Sequence, residues 1–162
     1  MLAALYQVEA FKNIPPEGMA MLVALGQPRS FETGSTLMRQ GDPSDALHVL
    51  VTGRVRVQRE IPDAAPFPLA ELGPGEVVGE MGVLDNEPRS ATVTAIQPTE
   101  TVEISGAAIG TVILRYPEVA SGLLRTISQR IRNSDELAEQ IVTRALGTVG
   151  RAPIVEPQDN SW

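Results

Sequence analysis

The sequence contains no cysteine among its 162 residues. That excludes disulfides and thiolate metal sites, and fits a cytoplasmic protein. It contains a single histidine, His48, so a histidine-rich metal site is excluded too. There is no Walker loop, no zinc-ligand spacing and no nucleophile elbow. The chain is therefore expected to carry no metal and not to be an enzyme. His48 sits in a β-prone run between Leu47 and Val49, where a half-buried strand residue is expected rather than a catalytic base. Basic residues are also few, 13 against 20 acidic, for a net charge of −7. Such a chain lacks the positive footprint that grips phosphate backbones or anionic membranes. Neither nucleic acid nor membrane is expected as a partner. No stretch approaches the roughly 18 apolar residues of a membrane span. Residues 1–6 are mildly apolar, but no basic region precedes them, and no signal peptide is expected.

What is present is enough for one domain with a real core: 43% of residues are hydrophobic, in a chain long enough to bury roughly two-thirds of its unfolded surface. Residues 1–28 form an N-terminal helical segment. Leu2, Leu5, Val8 and Phe11 recur at helical spacing over 2–13. Met19, Leu22, Val23 and Leu25 do so over 16–25, behind a proline suited to a first helical turn. From 29 to 105 the texture changes to short β-prone runs at 29–32, 36–39, 47–52, 54–59, 68–72, 90–95 and 101–104, separated by Gly, Pro and Asp. Many short strands at near-regular spacing predict a sandwich or barrel-like roll. Val55 and Val57 alternate with Arg54, Arg56 and Arg59, which predicts one buried and one solvated face.

Residues 106–146 return to helical periodicity. A short amphipathic stretch ends at Tyr116-Pro117, since the residue before a proline avoids helix. A long helix over 117–146 follows. Within it Leu124, Ile127, Ile131, Ser134, Ala138, Ile141 and Ala145 repeat at alternating spacings of three and four, a heptad-like seam. That seam fits either packing against the roll or a parallel helix pair in a homodimer. Gly147 is a plausible helix end, and 147–162 reads as a flexible tail.

The chemistry concentrates at 79–93, after Gly75. Glu80 and Arg89 stand at the two ends of one short excursion that opens on Gly79. Glycine permits close backbone approach to a ligand. Backbone N–H groups at the start of a helical turn, an arginine and the hydroxyl of Ser90 suit a phosphate. A carboxylate beside that phosphate needs another partner, and an ionised Glu only accepts hydrogen bonds, so a sugar hydroxyl is the natural one. The residues alone thus predict an anionic sugar phosphate.

Helix, roll of short strands, Gly-Glu…Pro-Arg-Ser-Ala insertion, strand pair and long helix, together with Phe31, Gly34, Leu37, Arg39-Gln40-Gly41-Asp42-Pro43-Ser44-Asp45, Leu47-His48-Val49-Leu50 and Gly53-Arg54-Val55, make a specific combination. It resembles the cyclic nucleotide-binding domain of the catabolite activator proteins and protein kinase A regulatory subunits. The resemblance spans about residues 8–145. His48 stands where that family often has an aromatic residue. The resemblance implies a mostly β fold with flanking helices, an eight-stranded β-roll (a jelly-roll-like double-stranded β-helix) with its phosphate-binding cassette at 75–93, and a C-terminal lid or dimer helix. By the same resemblance, Glu80 would bond the ribose 2′-hydroxyl and Arg89 the cyclic phosphate, with Ser90 and Ala91 assisting on its oxygens. Gly79 would touch the ribose region, while Val78, Met81 and Val93 would line an apolar wall. Arg130, Ser134 and Asp135 would fall near the base. The implied ligand is cAMP, or cGMP; serine rather than threonine at position 90 tilts toward cAMP. The implied role is a sensor that signals through its C-terminal helix to a partner protein. The alternative is a structural or docking component built on the same fold. About sixteen residues follow the helix, with no recognition-helix pattern, so DNA binding is not expected.

Overall fold

Alternating side chains and turn-forming residues between positions 27 and 105 resolve into a two-sheet roll. The computed structural model describes residues 2–149 of the chain. Among these, α1 (Leu2–Gln7), a 3-10 turn (Glu9–Phe11) and α2 (Pro16–Leu25) precede eight strands. The strands are β1 (Gln27–Phe31), β2 (Thr36–Met38), β3 (Ala46–Thr52), β4 (Val55–Arg59), β5 (Phe67–Leu72), β6 (Val77–Val78), β7 (Thr92–Ala95) and β8 (Thr99–Ser105). A six-residue helix, α3 (Glu80–Asp85), is inserted between β6 and β7, and α4 (Gly106–Arg115) and α5 (Glu118–Val149) follow β8. Every strand pairing is antiparallel, in two four-stranded sheets ordered β1-β8-β3-β6 and β2-β7-β4-β5. The expected roll is thus present, with its eighth strand in the two-residue β6, too short to register as a run in the sequence.

Strand alternation sorts the core into two clusters. On β3, Leu47 and Val49 face the helices and join Val102, Ile104, Phe11, Leu22, Ile109, Val119 and Leu123. Leu50, on the opposite face, joins Met38, Val55, Leu72, Val78 and Val93 inside the roll. Each fully buried Val, Leu or Phe contributes about 1.5–3 kcal/mol of transfer free energy, so both faces of this central strand are committed. The solvated-face reading of β4 holds: Val55 is buried, Arg54 and Arg56 are exposed, and Arg56 pairs with Glu71 of β5 at 3.0 Å. His48 lies deeper than expected, at 4% exposure.

Two helical expectations are revised. The run expected over 2–13 breaks at Val8, whose ψ of 119° is extended, and continues as a 3-10 turn. The break turns Leu5, Val8, Ala10 and Phe11 all into the core, which one straight helix would not do. At the other end, α5 runs through Gly147 to Val149. One glycine costs a helix only about 1 kcal/mol and need not end it. The expected tail lies outside the described residues from position 150 onward.

The chain divides into two compact units, Met1–Ser128 and Gln129–Trp162. In the first, α5 packs through Val119, Gly122 and Leu123, all buried. These are one helical face at spacings of three and four, and it is not the heptad seam. Seam residues Leu124 and Ile131 are 56% and 54% exposed. Ala138, Ile141 and Ala145 lie outside the residues whose side chains are described. Gly122 is required for the α5 docking, because a Cβ there would run into the carbonyl of Ala10 in the 3-10 turn. Gly122→Ala should therefore lower unfolding stability by about 1–3 kcal/mol through overpacking, read as a reduced denaturant midpoint. An unchanged midpoint would refute this contact as a close one.

Candidate functional site

Gly79 opens the site. Its φ of +84° lies in the left-handed region, which costs a side-chain-bearing residue roughly 1–2 kcal/mol. Space is closed as well: a Cβ would stand 2.6 Å from Arg89 Nη1, 3.0 Å from Met38 Cε and 3.2 Å from the Ala46 carbonyl. The turn swings the chain from β6 into α3 and places Glu80 inside, at 1% exposure. Asn86, also left-handed at φ 59°, ends α3. The chain then returns through Pro88 to Arg89, 7% exposed.

The Arg89 guanidinium ties three segments together. Nη1 donates to the Gly79 carbonyl at 3.1 Å, and Nη2 donates to the Ala46 carbonyl at 2.6 Å and to Asp45 Oδ1 at 3.3 Å. Its backbone is fixed too: Arg89 N donates to the Asp42 carbonyl and Gly41 N donates to the Arg89 carbonyl, both at 2.9 Å. Burial lowers the Arg89 pKa; the nearby carboxylates Asp45, Asp42 and Glu80 oppose that shift. An arginine starts so high that it stays cationic. Hydrogen bonds to a charged donor are worth about 1.5–3 kcal/mol each, so Arg89 is a structural strut as well as a cation.

Val78 and Val93 share the apolar cluster inside the roll, and Ala91 is buried at 8% exposure. Ser90 is exposed. Met81, expected on an apolar wall, sits on α3 at 41% exposure. Arg130, Ser134 and Asp135 belong to the second unit, where Ser134 Oγ donates to the Arg130 carbonyl within α5 at 3.0 Å.

A family profile described as the cyclic nucleotide-binding domain matches residues 28–116, from β1 through the end of α4. The chain belongs to the cyclic nucleotide-binding domain family. It is 31% identical over 142 residues to the CRP-like cAMP-activated global transcriptional regulator of Mycobacterium tuberculosis, a match covering 87% of this chain and 63% of that protein. The crystal structure of the Thermus thermophilus catabolite activator protein superposes with a TM-score of 0.74 at 31% identity, covering 83% of this chain and 63% of that one. The regulatory subunit of a cAMP-independent protein kinase A from Trypanosoma brucei gives a TM-score of 0.74 at 21% identity, covering 86% of this chain and 50% of that one, a likeness of fold. The chain thus spans less than two thirds of each of these proteins. It is a cyclic nucleotide-binding domain similar in sequence to that part of a CRP-like regulator. Among the described residues, no helix is long and apolar enough to cross a membrane.

Within this cyclic nucleotide-binding domain, sequence reasoning missed the loop that holds Arg89. Residues 41–45 were recognised only as turn punctuation and as part of the resemblance, yet Gly41, Asp42 and Asp45 all bond Arg89. The missed signal was the position of Asp45 next to the first buried residue of β3. Gly79→Ala should destabilise the domain by about 1–3 kcal/mol, from the left-handed backbone plus the displaced Arg89. Thermal unfolding of that variant measures it, and a wild-type midpoint would contradict the close packing at Gly79.

Proposed function

We propose that this domain binds a cyclic nucleotide in the cassette and acts as a sensor, with cAMP preferred over cGMP. The observation that carries the reading is the placing of two buried side chains, Glu80 and Arg89, at the two ends of the α3 excursion, with Gly79 directly before Glu80 and bonded by Arg89. Arg89 takes the cyclic phosphate. Three of its N–H groups bond protein acceptors, and a guanidinium has five, so donors remain for an anion. Glu80 takes the ribose 2′-hydroxyl, as acceptor. Ser90 and Ala91 add donors to phosphate oxygens, Gly79 permits close approach, and Val78, Met81 and Val93 give apolar contact. Arg130, Ser134 and Asp135 on α5 are the residues assigned to the base. No metal is called for, because Arg89 and backbone donors balance a singly charged cyclic phosphate.

A site with a ligand and no reacting group reports by shifting a population between two states, and α5 is the element assigned to move. The domain acts through a partner protein rather than by chemistry of its own. Homodimerisation through α5 is part of the proposal, and it is supported by the exposure of Leu124 and Ile131 on a heptad seam. A cytoplasmic location is part of the same proposal.

Calorimetry with cAMP and cGMP, side by side, tests the ligand. Arg89→Ala should weaken cAMP binding by roughly tenfold to several hundredfold, with circular dichroism confirming that the roll persists. Unchanged affinity in a folded variant would sink the assignment. Hydrogen exchange across residues 117–146 should gain protection on adding cAMP; identical exchange with and without it would remove α5 as the moving element.

A further inference from the structure

His48 is the only histidine, and the roll buries it within reach of the cassette. On β3 it shares a face with Ala46, two residues earlier, whose carbonyl accepts the shortest Arg89 bond. Two strand residues span roughly 6–7 Å. Across the ladder its partner is Val78 of β6, the residue before Gly79. On its other side the partner is Glu103 of β8. The ring is 4% exposed. Phe31 packs against its edge with ring centroids 5.9 Å apart. Nδ1 lies 3.0 Å from Thr101 Oγ1, and Nε2 lies 3.7 Å from Glu103 Oε2. Glu103 is held from outside by Arg29 of β1, at 2.9 and 3.1 Å.

This arrangement gives the imidazole one satisfied nitrogen and a second nitrogen just outside hydrogen-bond distance of a fixed carboxylate. A neutral ring has one donor and one acceptor; a protonated ring has two donors. Protonation therefore favours closing the gap to Glu103. The charged groups facing the ring are Glu103 and Arg29 from β8 and β1, Arg89 from the cassette return, and Asp45 from the loop before β3. Two are cations and two are anions, and the burial cost is not met. His48 accordingly has a lowered pKa, chiefly from desolvation, with Glu103 acting in the opposite sense. An anion placed on Arg89 changes that balance, because it offsets one of the two cations that lower the His48 pKa.

We infer that His48 couples nucleotide occupancy to protonation, so that the cassette binds a cyclic nucleotide more tightly as pH falls through the histidine range. The inference rests on the functional reading above for the position of the ligand phosphate. Linkage fixes the sign. If the bound anion raises the His48 pKa, the complex takes up a proton and affinity rises on acidification. Above that range His48 is neutral in both states and the effect vanishes. Because burial lowers the His48 pKa from the ordinary histidine value of 6.5, the gain opens below that pH, inside the interval from 7.5 to 5.5. For charges several ångströms apart in a partly screened site, the gain should be about three- to tenfold.

The test uses the full chain with cAMP as probe. Calorimetry at pH 7.5 and 5.5 should show that gain in the wild type and a flat response in His48→Gln. As the sole histidine, His48 also has an unambiguous ring proton resonance, which needs no variant. It should titrate about half to one pH unit higher with cAMP bound. Binding that is independent of pH, with a His48 titration unmoved by ligand, overturns this inference and leaves the functional reading intact. Absence of any binding at either pH overturns both.

Discussion

One guanidinium joins the parts of this site. Arg89 arrives at the end of the α3 excursion and bonds the carbonyls of Gly79 and Ala46 and the carboxylate of Asp45. It therefore ties the start of the cassette to the beginning of β3 and to the loop before it. These segments are distant in sequence, and two of them meet the guanidinium with backbone carbonyls, those of Gly79 and Ala46. A cation is the economical solution, because one planar group with five donors satisfies several acceptors at once. The requirement then spreads outward. Gly79 has to be a glycine because Arg89 Nη1 occupies the space of its Cβ. Val78 must enter the roll for Gly79 to be in place, and β6 exists as a two-residue strand to put it there.

The same economy lets one residue serve both the structure and the proposed recognition. Arg89 is buried enough to be costly, yet its three protein bonds use three of the five N–H donors of a guanidinium. Asp45 bonds it at 3.3 Å from a side chain that is 88% exposed. An exposed carboxylate at that distance contributes little. The strong part of the arrangement is the pair of backbone carbonyls, which hold the guanidinium in orientation whatever anion meets its remaining donors.

Around this site the roll is built from two separate cores. One face of β3 packs on helices and the other fills the roll, so a change on either side is transmitted through the same strand. His48 lies on the inner face of that strand, between the Arg89 acceptor at Ala46 and the Glu103–Arg29 pair. The first turns of α5 belong to the helix-side core through Val119, Gly122 and Leu123, while its heptad seam points elsewhere. The helix carries two apolar stripes, and only one is used within the first unit.

The sequence by itself determined the fold class and most strand positions, and it singled out Glu80 and Arg89 as the candidate pair for the proposed ligand. It could do so because alternation, turn residues and a charged motif are local signals. Tertiary structure alone decided what Arg89 holds, since carbonyls of Ala46 and Gly79 carry no trace in side-chain identity. It also decided that Met81 is largely exposed, that His48 is buried against Glu103 rather than half-buried, and that Val8 breaks the first helix. Each depends on which distant segment arrives to fill the space beside a residue. Periodicity found the Leu124 seam, but whether that face or the Val119 face met the core depended on how α5 leaves Pro117. The Gly122 contact with Ala10 settles that, and it joins residues more than a hundred positions apart.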